Sequence, residues 1–327
     1  MCGIAGFVFK KNSVHKSTAE YLKKMLDALK HRGPDDWGMS LYGNLNDSLE
    51  LSEKIRHEEI SGCTIGLGHR RLSIIDLSDQ ARQPMIDSSG NYEIIFNGEI
   101  YNYRELKQQL AHQYAFHTQS DTEVLLAGYS IYGKSILNRL DGMYSFAILD
   151  KQKKELFCAR DHASIKPFYY MQNESGFSFA SEPEALFTAL TTNKSINLTT
   201  AANFITTGIC DHDESTFYAQ VKQLSGAHYL IYDIEKHTIK NINKYWSPDI
   251  TPKTTGNQKE EYLKVISESI QLQLRSDVQL GSSLSGGIDS GSIVTIAGDI
   301  LQLMPANTLP SPTPIQVLKM MNRIMRN

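Results

Sequence analysis

MCGIAGFVF, Met1 to Phe9, opens the chain with a cysteine at position 2 and a run of apolar residues that reads as a buried strand. The residue after the initiator methionine is small, which favours its removal, and Cys2 would then be the first residue. Its thiol would share that residue with a free α-amine. Such an amine titrates at about 7.7–8.0, so near neutral pH a useful fraction of it can take the thiol proton, directly or through one water. A cysteine at position 2 taken alone is more simply a buried or incidental one, so its surroundings decide.

Outward from it, Thr64–Gly68, Tyr92–Phe96, Tyr144–Leu149, Glu155–Ala159 and Phe177–Ala180 are also rich in β-branched and aromatic residues and bounded by turn formers, which predicts stacked sheets. Thr18–Lys30 places Leu22, Met25, Leu26 and Leu29 on one helical face, and Gly33-Pro34 reads as its stop. A second helix is predicted over Asp121–Tyr132, with Ser120 and Glu123 at capping-box spacing and Gly133 as its end. The texture changes after about residue 190 and again at Ser247–Gln258. From there a helix over Lys259–Arg275, carrying Tyr262, Val265, Ile266 and Ile270, leads into SDVQLGSSLSGGIDS, which reads as strand, glycine loop and helix. The last stretch, with Pro305, Pro310, Pro312 and Pro314, reads as a loosely attached tail in which Leu318, Met321 and Met325 could line one helical face.

The 327 residues amount to roughly two domains. With 33 Lys and Arg against 36 Asp and Glu, charge offers no argument for a nucleic-acid or anionic-membrane partner. No apolar run approaches the roughly 18 residues of a spanning helix. Cys2, Cys63, Cys158 and Cys210 form no CxxC pair, so neither a metal site nor a disulfide framework is expected, and a cytoplasmic home is the simplest reading. Gly128–Ser135, GYSIYGKS, fits the GxxxxGK[ST] phosphate-loop pattern, but that loop needs a strand before it and a helix after it. Here a helix precedes it, and the match is set aside.

Amide hydrolysis at a thiol needs donors for a tetrahedral oxyanion. Asn97-Gly98-Glu99, directly after the strand Glu93–Phe96, offers a side-chain amide and an unhindered backbone N–H. The motifs MCGIAGF, HRGPDD (31–36), GHRRLSIIDL (68–77), FNGEIYNY (96–103), SDTEVLL (120–126), LDGMYSFAILD (140–150), ARDHASIKPFYY (159–170) and ASEPEAL (180–186) are collinear. In that order they resemble the glutamine-hydrolysing asparagine synthetases, from residue 1 to about 300. The resemblance implies an α+β N-terminal nucleophile hydrolase fold (an αββα sandwich) for a class II glutamine amidotransferase domain at 1–190. It further implies a connecting segment with short strands at 191–258, an incomplete α/β ATP-pyrophosphatase-type (PP-loop) domain at 259–303 and a proline-rich tail at 304–327.

By the same resemblance Cys2 is the nucleophile that forms a γ-glutamyl thioester, and Asn97 and Gly98 form the oxyanion hole. Arg71 pairs with the glutamine α-carboxylate, Glu99 and Asp121 receive its α-ammonium group, and backbone of Leu72, Ile74 and Ile75 closes the pocket. Leu284, Ser285, Gly286, Gly287, Asp289 and Ser290 carry the SGGxDS signature of an ATP loop, in which glycines admit phosphate close to backbone N–H groups. The implied substrates are L-glutamine, L-aspartate and ATP, with Mg²⁺ bridging the phosphates. Departures from the family are Gly291 for a second serine, Gln279 for a proline, and Ala163-Ser164 where a glycine usually precedes IKP. The family also continues some two hundred residues further, so the synthetase half reads as incomplete unless a homodimer or a completing second chain supplies the rest. Three readings follow: an asparagine synthetase by descent, a glutamine hydrolase delivering ammonia to another acceptor such as a sugar carboxylate, and an inactive fragment that acts only by binding partners.

Overall fold

Alternation along the first strand fixes the layering. In β1 (Gly3–Phe9), Ile4 and Val8 face one side and Ala5, Phe7 and Phe9 the other, and all are buried. The strand is therefore covered on both faces. The computed structural model describes residues 1–13, 18–45, 47–51, 62–188, 194–251, 256–303 and 316–318. These fall into two compact units, one of residues 1–73 and 78–248, the other of residues 74–77 and 249–327.

The strands of the first unit after β1 are β2 (Asp36–Asn44), β3 (Asp47–Leu51), β4 (Ile65–Arg71), β5 (Met85–Ile86), β6 (Tyr92–Ile100), β7 (Gly142–Asp150), β8 (Glu155–Arg160), β9 (Tyr169–Asn173), β10 (Gly176–Ala180), β11 (Lys222–Gln223), β12 (His228–Asp233) and β13 (Thr238–Lys244). Its helices are α1 (Thr18–Ala28), α2 (Tyr103–Leu110), α3 (Asp121–Tyr132), α4 (Pro183–Thr188) and α5 (Leu198–Thr207). Two antiparallel sheets, ordered β11-β9-β10-β1-β4-β2-β3 and β13-β12-β8-β7-β6-β5, are packed through one core that holds Ile4, Val8, Leu67, Ile95, Leu149 and Phe179. A second core joins the outer face of the first sheet to α1 and α4 through Phe7, Leu22, Met25, Leu26 and Leu186. Each fully buried Leu or Phe of this kind contributes about 1.5–3 kcal/mol. With α3 packed on β6 the layers run αββα, the sandwich that the motif resemblance implied.

Three local readings are corrected. Gly33 is not a helix stop: α1 already ends at Ala28, and a Cβ on Gly33 would lie 2.4 Å from the Arg70 carbonyl, so the glycine permits a close backbone crossing. The reciprocal capping box does not form. Ser120 Oγ accepts from Thr122 N–H at 3.2 Å, but Glu123 reaches past the cap to the N–H groups of His117 and Thr118 at 2.8 and 2.7 Å. Residues 191–258 are more than a connector, because β12 pairs with β8 and β11 with β9, extending each sheet by hydrogen bonding its open edge. Gly133, by contrast, ends α3 with its N–H bonded to Tyr129 C=O, so a helix does precede the rejected phosphate-loop match.

The second unit contains α6 (Gln258–Gln273), β14 (Gly281–Ser283), α7 (Ile288–Leu303) and β15 (Gln316–Leu318), with β14 and β15 paired in parallel. A lone strand leaves its N–H and C=O groups unpaired, and residues 316–318, read as tail, fill that role for β14. Met321 and Met325, which could line a helical face with Leu318, lie outside the described residues. Tyr262 and Val265 of α6 are exposed while Ile270 is buried, so only part of the predicted apolar face is covered. No helix among the described residues is long and apolar enough to cross a membrane.

Candidate active site

Strand parity brings the candidate residues to one end of the space between the sheets. On β4, Ile65 and Leu67 face the second sheet, so His69 and Arg71 face it too. Arg70 faces the other way, where its Nε donates to Leu26 C=O at 2.8 Å and its guanidinium meets Asp27 of α1. On β6, Ile95 faces the first sheet, which puts Glu93, Asn97 and Glu99 on the same face. Glu93 is fully buried and takes hydrogen bonds from Ser40 and Tyr42 of β2. The adjacent arginines 70 and 71 thus serve different layers because a strand alternates.

Cys2, one residue ahead of β1, lies against the end of β4. Leu72 N–H donates to its Sγ at 3.4 Å, and Arg32 Nε donates to the Cys2 carbonyl at 3.0 Å. Arg32 is held in turn by Glu182 at 3.0 Å, which joins the HRGPDD and ASEPEAL motifs at Cys2. Arg71 is buried and donates to Ser78 C=O at 3.0 Å.

The candidate oxyanion donors sit on β6. Asn97 is wholly buried, and neither its Oδ1 nor its Nδ2 has a hydrogen-bond partner among the described residues. Gly98 cannot carry a side chain, since a Cβ there would approach Met143 O to 2.3 Å on β7. In an antiparallel ladder both backbone groups of a residue point to the same neighbour, and the direction alternates. Lys151 N–H bonds Asn91 C=O and Tyr101 N–H bonds Asp141 C=O, so odd-numbered residues of β6 face β7. The N–H of Gly98 therefore points away from β7.

Burial and charge set the ionisation of the group. Burial raises the Cys2 thiol above the usual range, opposed by the Leu72 N–H and the amino terminus. It lowers the Met1 ammonium, which lies near Cys2, Lys166, Arg32 and Glu99. Burial also raises the Glu99 carboxyl, opposed by Lys166 and the amino terminus, and lowers the Lys166 ammonium against the charges of Glu99 and Cys2. Asp121, at the start of α3, accepts from Ile100 N–H at 2.9 Å and is pushed up to about 7, first by burial and then by Glu99.

That shift has a stability consequence with a definite sign. Between about pH 4 and pH 7 the folded Asp121 keeps a proton the unfolded chain has released, so stability from this group is present at low pH and is lost as pH rises through 7. Asp121→Asn keeps an oxygen for Ile100 N–H and removes the buried charge. It is expected to raise Tm at pH 8 by a few degrees, each kcal/mol being worth about 2–4 °C, and to raise it less at pH 5. Thermal melts at both pH values check this, and an equal change at both would refute it.

Lys166 is a functional candidate that the motif string contained and the sequence reading did not single out. It is buried, and the loop ahead of it is rigidly held. The Asp161 carboxylate accepts from the N–H groups of Ala163, Ile165 and Lys166 at 3.0, 2.9 and 2.8 Å, and Arg160 donates to the carbonyls of Ser164 and Lys166 at 2.9 and 2.7 Å. Ser164, in the Ala163-Ser164 pair noted above as a departure, adopts a φ of 60°, a conformation that disfavours side chains. The pattern Lys-before-Pro in a strand-poor segment was the available signal.

Ile74 and Ile75 belong to the second unit, where Ile74 C=O accepts from Asp277 N–H at 3.0 Å. In the same unit the candidate ATP loop runs from Leu284 to Ser290. Ser285 Oγ and Ser290 Oγ lie 2.9 Å apart, Gly286 has a φ of 85°, and α7 begins at Ile288 with Asp289 in its first turn. The loop is exposed, and among the described residues no atom lies within 4 Å of where a Cβ at Gly286 would be. Among the described residues no three His, Cys, Asp or Glu side chains converge to hold a metal ion.

The glutamine amidotransferase domain family matches residues 55–246, and the asparagine synthase family matches residues 261–316. A putative glutamine-hydrolysing asparagine synthetase 2 of Methanocaldococcus jannaschii is 34% identical over 94% of this chain and 59% of its own length. Asparagine synthetase 1 of Bacillus subtilis is 37% identical over 91% of this chain and 44% of its own length. The chain thus spans about half the length of these curated relatives. Among solved structures, the glutamine phosphoribosylpyrophosphate amidotransferase of B. subtilis matches with a TM-score of 0.55 at 19% identity, covering 90% of this chain and 64% of that one, which shows the shared fold. The chain belongs to the glutamine amidotransferase domain family, joined here, as in the glutamine-hydrolysing asparagine synthetases it resembles, to a stretch of asparagine synthase domain.

Proposed function

We propose that the first unit hydrolyses L-glutamine at Cys2 and that the chain is of the asparagine synthetase type, its second unit serving ATP-dependent transfer of the ammonia to aspartate. The observation that carries the first step is the buried Asn97 carboxamide, without a hydrogen-bond partner among the described residues, beside a Gly98 N–H turned away from its ladder neighbour. An unsatisfied buried donor costs about 1–3 kcal/mol, and the oxyanion of a tetrahedral intermediate, a stronger acceptor than the substrate carbonyl, would take the Asn97 Nδ2 hydrogen bond most strongly.

With Met1 removed, the Cys2 amine takes the thiol proton and Sγ attacks the glutamine side-chain carbonyl carbon. The oxyanion forms against Asn97 and Gly98. Its collapse breaks the C–N bond, the amine returns the proton to the leaving nitrogen, and ammonia departs from a γ-glutamyl thioester that water then hydrolyses. Arg71 pairs with the α-carboxylate as a planar fork suits, and Glu99 with Asp121 receives the α-ammonium. Lys166 beside Glu99 favours that carboxylate's charged form. In the second unit, Ser285, Gly286, Gly287 and Ser290 would face the phosphates of ATP.

A nitrogen NMR time course on the purified chain with amide-¹⁵N glutamine, aspartate, ATP and magnesium tests both halves. Label passing into asparagine is the expected outcome for a working synthetase half. Label appearing only as ammonium would restrict the function to glutamine hydrolysis with another acceptor or none, and label remaining in glutamine would refute the proposal.

A further inference from the structure

The second sheet ends in a strand that is cut short, and side chains take the place of the missing neighbour. Strand β5 pairs with β6 only at Met85↔Ile94 and Ile86↔Glu93. Beyond Ile94, the backbone groups of Phe96, Gly98 and Ile100 point to the side where β5 has ended, by the parity derived above. Phe96 is buried, so its N–H and C=O need partners. Gln83 Oε1 accepts from Phe96 N–H at 2.6 Å, and His69 Nε2 donates to Phe96 C=O at 3.1 Å. Gln83 is itself fixed, its Nε2 donating to Thr122 Oγ1 at 3.1 Å, one residue after Asp121. Its backbone is crowded against β2, where a Cβ at Gly38 would lie 2.4 Å from Gln83 O.

We propose that His69 and Gln83 are positioning residues for the oxyanion donors: they grip both backbone groups of Phe96 and thereby fix the next peptide, which joins Asn97 to Gly98. The proposal rests on the glutaminase reading above. His69 crosses from the first sheet, which also carries Arg71 two residues later, so one strand orients the donors of the second sheet and presents the guanidinium. Burial holds the imidazole neutral, with a pKa lowered to about 3, and its Nδ1 has no partner among the described residues. The ring is therefore committed to the tautomer with hydrogen on Nε2, the one able to donate to Phe96. The other end of the segment is held at Ile100 by Asp121, so the peptide bearing the Gly98 N–H is suspended between two side-chain grips. A displacement of about 1 Å in such a donor can cost on the order of 10²-fold in rate.

The test measures kcat and KM for ammonium release from glutamine, with Tm, in wild type, His69→Phe, His69→Gln, Gln83→Leu and Gln83→Glu, each normalised to folded protein. His69→Phe and Gln83→Leu are expected to lose about 10- to 100-fold in kcat with KM changed less than about threefold. His69→Gln keeps a donor and Gln83→Glu keeps an acceptor, so each is expected to recover most of the loss of its partner variant. Unchanged kcat in the apolar variants, or equal losses in apolar and conservative variants, would overturn the proposal. If His69→Phe does not fold, the Gln83 pair decides by the same criteria. A wild type that releases no ammonium would overturn the glutaminase reading, and it is distinguishable because no variant could then differ from it.

Discussion

Glutamine given to the Cys2→Ala variant is expected to remain intact, with ammonium release reduced on the order of 10⁶-fold, the scale seen when an attacking residue is removed from a working nucleophile–base pair. The substitution removes only the sulfur, and the Arg32 bond to the residue 2 carbonyl does not depend on it. Binding of glutamine should persist, since Arg71, Glu99 and Asp121 are untouched, and isothermal calorimetry would register it. Burial raises the thiol with Met1 in place, and once Met1 is removed the Cys2 amine stands next to it as the base that can take its proton during attack. Turnover at the wild-type rate in Cys2→Ala would place the chemistry elsewhere.

For Asn97→Ala the expected loss is about 10²- to 10³-fold in kcat, the range for one oxyanion donor, with KM little changed. Stability should move in the other direction. Both polar atoms of Asn97 are buried without partners among the described residues, so truncation removes a burden of about 1–3 kcal/mol per unsatisfied group, partly offset by the cavity it leaves. A variant as stable as the parent or more so, yet catalytically crippled, is the signature of a residue kept for the transition state. A rise in KM with unchanged kcat would instead assign Asn97 to glutamine binding.

Much of this was legible in the residues because period-2 alternation and turn chemistry are local. β7, β8 and β10 lie where their aromatic and β-branched runs put them, and α3 has the predicted bounds, whereas β6 runs on to Ile100 and takes in Asn97, Gly98 and Glu99, which the sequence places after the strand. Gly33 was misread because a glycine before proline looks the same whether it ends a helix or admits a neighbouring backbone, and only the crossing of Arg70 tells them apart. Glu123 was misread because a carboxylate at capping distance can bond any nearby N–H, and the turn at 117–118 supplied two. Short strands are expected within 191–258, but that β11 and β12 complete the two sheets is hidden, because pairing with the distant β9 and β8 is not written in any local pattern. The roles of His69 and Gln83 need the register of two sheets at once, which no local pattern contains.

The side-chain grips on β6 also bear on solubility. A strand edge with consecutive free amides and carbonyls is a template for adding another chain. Here imidazole, carboxamide and carboxylate already hold backbone groups at Phe96 and Ile100, so an extended peptide would have to expel three buried side chains to pair with this segment. This end of the sheet is thereby guarded against pairing with another extended chain.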